Sequence, residues 1–215
     1  QPGPELVGRP TLTDAAGNND GVPNPGETIR LPTWVINMGV AQATGVVGKL
    51  RCSSPYGTVT ADSSYTFGTI AANDSSYYAA GFGLYITPTD TNGIVIPLTL
   101  FCKDSNDSTW TYNFSVTVGT SVLGYNGRTM DGNGRLDPSK TSKMSVGLKN
   151  DGAGYSYNTQ GVLRCNNGLI NITDSTAAYG TINPSASGSS GTDSFTVNCG
   201  AVPVGTVVTF TIVMR

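Results

Sequence analysis

The sequence predicts an all-β protein composed of two tandem copies of one antiparallel β-sandwich domain. Three observations support this prediction. Short segments alternate between apolar and polar residues, turns rich in Gly, Asn and Pro separate these segments, and part of the first half of the chain recurs in the second half. No segment keeps a helical periodicity over the length of a helix.

The repeat is clearest in a polar loop, DAAGNNDGVPNPGET at Asp14–Thr28, whose relative DGNGRLDPSKT spans Asp131–Thr141. The offset that places Thr28 on Thr141 also places Asn37 on Asn150. It aligns the tripeptide LRC of the first copy with LRC in the second. We therefore expect the two copies to share one fold.

Later in the chain, a smaller offset aligns LTLFC, ending at Cys102, with FTVNC, ending at Cys199. On this alignment the second copy is the shorter one and lacks the region around SSYYAAGFGLYITPTD. We expect one domain over residues 1–119 and a pared-down copy over residues 120–215. Because the sequence begins at Gln1 without a methionine, we also expect a mature, processed chain whose tail is Gln1–Pro4.

The first copy is expected to contain seven short strands. They are Glu5–Leu12, Thr28–Ile36, Val46–Cys52, Tyr65–Ile70, Gly83–Thr87, Ile94–Lys103 and Thr109–Val118. The last of these has Val207–Met214 as its expected counterpart. In the second strand and its copy, the alternation predicts these core residues: Ile29, Leu31, Thr33, Val35, Met144, Val146 and Leu148.

Four cysteines fall at places that these alignments match between the two copies. Repeat symmetry then selects one of the three connectivities, Cys52 with Cys102 and Cys165 with Cys199. Metal binding is the competing interpretation, but no Cys has a close Cys or His neighbour and the sequence has no His. Disulfides indicate an extracellular setting. Many short strands and one disulfide per copy indicate immunoglobulin-like sandwiches.

The composition argues against nucleic acid and membrane as partners. The formal charge is −2 and the pI about 4.9, so no basic surface favours nucleic acid, and the apolar runs are too short to insert into a membrane. Four sequons fit an extracellular glycoprotein; their asparagines are Asn73, Asn106, Asn113 and Asn171.

The polar loop of the first copy is a candidate calcium site. Calcium takes six to eight oxygen ligands, and the expected ligands here are Asp14, Asn18, Asp20, Asn24 and Glu27. The spacing is not that of an EF-hand, and a plain polar turn ahead of a strand is the alternative. In the second copy Lys140 replaces Glu27, so we expect a degraded or weak site formed by Asp131, Asn133 and Asp137.

The sequence does not favour an enzyme. With no His, Ser–His–Asp and Cys–His arrangements are excluded. A glycosidase pair would have to come from twelve Asp and two Glu, of which Glu27 is assigned to the cation. Asp104 and Asp107, between two strands, are expected to form a hairpin turn, with a second cation site as the alternative.

The run GNNDGVPNPGETIRLPTWVINMG, followed by GTIAANDS, resembles the opening of bacterial immunoglobulin-like modules found beside secreted cysteine peptidases of the gingipain type and on other surface proteins. The similar features are Asp20-Gly21, Pro25-Gly26-Glu27, and Asn37 with Gly39. The resemblance covers the first third of copy one and extends loosely to copy two. It implies a non-catalytic spacer, stalk or adhesive part.

Together these observations predict a structural building block of a cell-surface or extracellular assembly, such as a filament subunit. The expected partners are copies of itself or other surface proteins. The alternative is an accessory or carbohydrate-binding module of a larger secreted enzyme. In that case Trp34, Trp110 and the tyrosines of SSYYAAGFGLY would form a stacking platform for glycans.

Overall fold

The computed structural model describes residues 3–215, so the first two residues of the predicted tail lie outside the described part. Sixteen β-strands are present in that range, and their pairings are antiparallel, which confirms the all-β prediction. The described residues contain no helix of the length and apolar character needed to cross a membrane. They divide into two compact units, up to Thr120 and from Ser121 onwards.

The first unit contains eight strands: β1 (Leu6–Pro10), β2 (Thr28–Asn37), β3 (Ala43–Cys52), β4 (Gly57–Val59), β5 (Ser64–Ile70), β6 (Ser75–Ile86), β7 (Val95–Lys103) and β8 (Thr109–Thr117). They form two four-stranded sheets, in the orders β1-β2-β6-β4 and β5-β3-β7-β8. The short β4 was not expected from the sequence, and β6 is longer than the predicted strand Gly83–Thr87.

One apolar cluster joins the two sheets of this unit, an arrangement consistent with a β-sandwich. Ile29 and Val35 of β2 contribute from one sheet, and Leu50 of β3 and Leu100 of β7 from the other; all are at most 2% exposed. The core face predicted for β2 and its copy is confirmed, because all seven predicted residues are buried.

A bulge interrupts the pairing of β2 with β6. The register runs from Leu31 opposite Phe82 to Thr33 opposite Tyr78, so three residues of β6 lie opposite Pro32 alone. Proline has no N–H to donate to the neighbouring strand. Gly81 fits here because its φ is 73° and because a Cβ would lie 2.5 Å from the Pro32 nitrogen.

The second unit contains β9 (Leu123–Met130), β10 (Thr141–Asn150), β11 (Ser156–Cys165), β12 (Ile170–Asp174), β13 (Thr176–Ile182), β14 (Ser187–Ser189), β15 (Phe195–Cys199) and β16 (Phe210–Met214). One sheet has the order β12-β15-β10-β14 with β9 also paired to β10. The other has the order β13-β11-β16. A second apolar cluster draws on both sheets.

Strand pairing shows which elements of the two units correspond. Leu31 lies opposite Phe82, and Met144 lies opposite Phe195, so the offset that places Leu31 on Met144 also places Phe82 on Phe195. Strand β15 therefore corresponds to the second half of β6. The expected match of LTLFC with FTVNC is wrong, because the two segments share a pattern of alternation but lie in different sheets of their units.

The last strand of the second unit is also reassigned. Leu163 of β11 lies opposite Ile212, as Leu50 of β3 lies opposite Leu100. Strand β16 therefore corresponds to β7, and the prediction that Val207–Met214 matches the last strand of the first copy is wrong. No strand among the described residues corresponds to β8, so the three-stranded sheet ends at β16.

All four cysteines are free thiols, which corrects the disulfide prediction. Cys52 lies opposite Leu98 and Cys102 opposite Gly48, on the neighbouring strands β3 and β7. Four residues along a strand separate the two cysteines by about 13 Å. A disulfide needs Cα atoms within about 7 Å, so this pair cannot form.

The second predicted pair, Cys165 with Cys199, is not bonded either. Cys165 ends β11 in one sheet, and its sulfur accepts the N–H of Asn167 at 3.5 Å. Cys199 ends β15 in the other sheet, opposite Ile170. Its equivalent in the first unit is Ile86 rather than a cysteine, so the repeat symmetry that selected the pairing does not exist.

Candidate functional site

The polar loop before β2 is closed by carboxylates that accept backbone N–H groups. Asp14 is buried, and its Oδ2 accepts the N–H of Asp20 at 2.8 Å and that of Gly21 at 2.9 Å. The isolated bridge between Thr13 and Arg30 brings the two ends of the loop together. The chain therefore folds around the Asp14 side chain.

Glu27, the residue before β2, closes the same loop at a second point. It is 8% exposed; its Oε1 accepts the N–H of Asn18 and its Oε2 that of Asn24, both at 3.0 Å. A Cβ at Gly17 would lie 1.6 Å from Oε1, so only glycine allows this approach. The side chain of Glu27, predicted as a calcium ligand, thus accepts two backbone N–H groups.

The remaining predicted ligands bond to one another and to the loop. The Asn18 amide donates to Asp20 Oδ2 at 3.0 Å and to Asn24 Oδ1 at 2.6 Å. Asp20 Oδ1 accepts the N–H of Val22 at 2.8 Å. The Asn24 amide donates to the carbonyl of Gly119 at 2.8 Å and so fastens the loop to the end of the first unit.

In this structure the oxygens of Asp14 and Glu27 described above accept N–H groups of the loop. Within residues 3–215, no three His, Cys, Asp or Glu side chains lie close enough together to hold a metal ion. The structure therefore brings the five predicted residues into one loop. Calcium binding there stays a prediction.

The second loop, Asp131–Thr141, resembles the first in backbone conformation but has no buried carboxylate. Ser139 has a φ of 61° where Gly26 has 80°. The Lys140 N–H donates to the carbonyl of Asp137 at 3.2 Å, as the Glu27 N–H donates to that of Asn24. The Asn133 amide donates to both Asp137 oxygens, at 3.1 and 3.3 Å.

The predicted ligands in the second loop, Asp131, Asn133 and Asp137, are exposed. Its weaker closure follows from the sequence, because Lys140 cannot accept the amides that Glu27 accepts. The prediction of a weak calcium site in this loop also remains a prediction.

Asp104 forms the β7–β8 hairpin turn that was expected. Its Oδ1 accepts the N–H of Asn106 at 3.0 Å and that of Ser108 at 2.8 Å. The exposed Asp107 pairs with Lys103, and this ion pair lowers the pKa of Asp107. Both aspartates thus have partners within the β7–β8 hairpin.

The four sequon asparagines are all exposed. Asn73 and Asn106 lie in turns. Asn113 lies on β8 and Asn171 on β12, each of which is the outermost strand of its sheet. The surface therefore permits the predicted glycosylation at each position.

A buried asparagine, Asn37, ties the first unit together. Its Oδ1 accepts the N–H groups of Glu5 at 3.1 Å and Gly39 at 3.0 Å, and its amide donates to the carbonyls of Ala41 at 2.8 Å and Ile70 at 3.1 Å. The N-terminal segment, β2, its following turn and β5 therefore meet at one side chain.

Asn150 does the same in the second unit. Its Oδ1 accepts the N–H groups of Val122 at 3.0 Å and Gly152 at 3.1 Å, and its amide donates to the carbonyls of Gly154 at 2.8 Å and Ile182 at 3.1 Å. The sequence aligned the two asparagines but did not indicate that they are buried. The pattern Asn-x-Gly, present at the same place in both copies, is the sequence feature that marks these two asparagines.

An exposed aromatic pair lies on the outer face of the first sheet. Trp34 of β2 and Tyr77 of β6 stack with ring centroids 4.4 Å apart and are 42% and 39% exposed. Tyr78 instead stacks on Tyr65 beside the core, and Trp110 packs against the core. The predicted platform is therefore smaller than expected.

No family model matches the sequence, and no curated protein matches it. Among solved structures, the chain aligns with a red sea bream transglutaminase at 11% identity and a TM-score of 0.33, over 97% of this chain and 29% of the other. It aligns with the secreted serine protease VesC from Vibrio cholerae at the same identity and TM-score, over 90% and 48%.

The chain spans less than half the length of either protein. At these TM-scores the two alignments carry no argument about its activity.

Proposed function

We propose that the chain is a non-catalytic structural building block of an extracellular or cell-surface assembly, with two immunoglobulin-like β-sandwich units. The observation that carries the proposal is that the described chain builds one strand arrangement twice. The same buried asparagine, Asn37 or Asn150, holds each copy. Repeated, rigid units suit a spacer or a subunit that joins copies of itself or other surface proteins.

The chemistry of the polar groups supports a structural role. The sequence has no His to act as a general base. Asp14 and Glu27 are buried and accept backbone N–H groups, and Asp104 closes a hairpin. Buried carboxylates with such partners stabilise loops.

Because the cysteines are free, disulfides do not support the proposed extracellular location. It is supported by four exposed sequons and by the scarcity of charged residues, 12% of the sequence. Glycans on Asn113 and Asn171 would also cover two outermost strands, and covered edges resist uncontrolled pairing with other sheets.

Negative-stain electron microscopy of the purified full chain, with excess calcium and then with excess chelator, tests the proposal. We expect filaments or sheets made of a repeating two-unit particle. Dispersed single particles at every protein concentration, in both conditions, would contradict self-assembly. Loss of the assemblies on chelation would in addition support calcium at the Asp14 loop.

The stacked pair Trp34 and Tyr77 favours a second candidate, a carbohydrate-binding module. Exposed aromatic rings can stack on the apolar faces of sugar rings, and Tyr85 lies on the same face of the sheet. Glycan-array binding that Tyr77→Ala abolishes and Tyr157→Ala leaves intact would support it. Tyr157 is a matched control, because it is an exposed tyrosine of the other unit.

A further inference from the structure

Charge is unevenly distributed over the first unit. Up to Thr120 the sequence has nine Asp and Glu residues and five Lys and Arg residues, a formal charge of −4. The sheet β5-β3-β7-β8 nevertheless contains no Asp or Glu in any of its four strands. Three of the five cationic residues, Lys49, Arg51 and Lys103, lie in β3 and β7. This sheet is therefore the basic part of an acidic unit.

The three cationic side chains share the outer face of this sheet. In β3 the buried Leu50 separates the exposed Lys49 and Arg51, so both cations point away from the core. In β7 the exposed Lys103 follows the buried Cys102 in the same alternation. Lys49 and Arg51 are two residues apart on one strand, a separation of about 7 Å along it. The outer face thus presents several positive charges close together.

Two of these cations have no carboxylate partner in the part of the chain that the structure describes. Lys103 pairs with Asp107 of the β7–β8 hairpin at 2.6 Å. Among residues 3–215, neither Lys49 nor Arg51 forms an ion pair with Asp or Glu. Their charge is therefore available to attract an anion from solution.

Arg51 is held in place by an aromatic ring. Its guanidinium carbon lies 4.7 Å from the centroid of the Phe101 ring. Lys49 lies directly opposite Phe101 in the strand pairing, so both cations border this ring. Stacking on a ring orients the planar guanidinium and leaves N–H groups at its rim for a ligand. An arginine positioned in this way loses less conformational entropy on binding a carboxylate.

An open depression of about 810 Å³ adjoins Arg51, between the end of β3, β4, β7 and β8. Its volume lies in the range of ligand-binding clefts. Thr99 Oγ1 donates to Asn113 Oδ1 at 2.9 Å, which orients the Asn113 amide in the wall of the depression. The polar side chains of the lining are Arg51, Ser53, Thr58, Thr99 and Asn113, and Pro97 and Phe114 supply apolar surface.

These groups together define the chemistry of a ligand. The unpaired charges of Lys49 and Arg51 are complementary to an anion. The hydroxyl, amide and apolar groups of the depression match a sugar ring, which has hydroxyl groups at its rim and apolar faces. Because the cations lie on an open face rather than in a closed pocket, the arrangement suits a long chain that carries repeated negative charges.

We propose that this face of the first unit binds an acidic polysaccharide, whose carboxylates contact Lys49 and Arg51 and whose sugar rings lie in the adjoining depression. The stacked pair of Trp34 and Tyr77 belongs to the other sheet of the unit. The proposed site is therefore separate from the carbohydrate-binding candidate described above. It does not depend on self-assembly either.

Isothermal titration calorimetry of the full chain with polygalacturonate tests the proposal. Because Asn113 is also a predicted glycosylation position, the chain is produced without N-glycans. We expect saturable binding that weakens as the salt concentration rises, since salt screens exposed charges. Fully methyl-esterified polygalacturonate keeps the sugar rings but loses the negative charges, and it should bind at least about tenfold more weakly.

Substitutions on the face should weaken binding of polygalacturonate. Arg51→Gln and Lys49→Gln each remove one charge, and each should weaken binding about tenfold. Asn113→Asp adds a negative charge to the depression at almost unchanged size and should also weaken binding. Arg9→Gln and Asn73→Asp are matched controls, because both residues are exposed in the same unit but lie outside this sheet. Since all five positions are exposed, we expect the variants to keep the unfolding temperature of the parent chain.

No binding of polygalacturonate by the parent chain, or undiminished binding by Arg51→Gln and Lys49→Gln, would overturn the proposal. So would equal binding of the esterified polymer, because charge would then not be recognised. Loss of binding in Arg9→Gln would assign the ligand to the other sheet instead. Poly-L-glutamate bound as tightly as polygalacturonate would assign the face to acidic peptides. Microscopy of assemblies does not bear on these outcomes, so the proposal and the proposed function fail independently.

Discussion

Asn37 and Asn150 occupy the same place in the two units, and each makes the same four side-chain hydrogen bonds. Both side chains are fully buried. Each uses both its oxygen and its amide, so no other residue type of similar size can replace it. The pair shows that the repeat preserves a polar joint as well as an apolar core.

Asn37→Ala is expected to destabilise the first unit by about 3 kcal/mol or more, because two backbone N–H groups and two carbonyls lose their buried partner. Differential scanning calorimetry of the full chain should show one transition shifted down and the other unchanged. Asn150→Ala should shift the other transition instead. Asn166→Ala, at an exposed position, is the control, and equal shifts for all three variants would contradict the assignment.

Glu27→Gln is expected to destabilise the first unit by about 1 to 3 kcal/mol, because glutamine has one acceptor oxygen for the two amides that Glu27 holds. The same variant tests the predicted calcium site: if Glu27 ligates calcium, the unfolding midpoint of the parent chain rises with calcium and that of Glu27→Gln does not. Equal midpoints of the parent chain in calcium and in chelator would contradict calcium binding at this loop.

Cys102 should make the first unit less stable in alkali. Burial raises the pKa of its thiol to about 11, whereas an unfolded thiol titrates near 8.5. Between these values the unfolded chain loses the proton first, so stability present below about pH 8.5 falls as pH rises towards 11, by on the order of 3 kcal/mol. Urea unfolding across this range should give a flatter profile for Cys102→Val.

All four thiols should also be detectable as free. Alkylation in denaturant without reductant, followed by mass spectrometry, is expected to label every cysteine. Under native conditions near neutral pH, Cys102 should react far more slowly, because it is buried and protonated. Recovery of Cys165 linked to Cys199 would contradict the free-thiol structure of the second unit.

Gly81→Ala is expected to cost about 2 to 4 kcal/mol, because the residue combines a positive φ with close approach to the Pro32 backbone. Gly93→Ala is a matched control, since Gly93 has a φ of 86° but no atom within 4 Å of an added Cβ. The difference between the two unfolding free energies isolates the close approach. Equal costs would mean that the bulge tolerates a side chain.

Much of the local structure could be predicted, and residues in β2 show why. Ile29, Leu31, Thr33 and Val35 alternate, and a strand with one buried face imposes that alternation directly. The polar loop was located because Asp, Asn and Gly are the residues that tight loops require. That Glu27 accepts backbone N–H groups could not be predicted, because a carboxylate side chain suits both this role and the ligation of a cation.

The sequence by itself determined an all-β chain, a repeat whose offset places Asn37 on Asn150, and the core face of β2. These depend on periodicity and residue type, which are local properties. Only the tertiary structure decided which strands are neighbours: that β15 matches half of β6, that β16 matches β7, and that Cys52 and Cys102 lie too far apart to bond. Short alternating segments are chemically alike, so the partner of each is decided by the packing of the whole sheet.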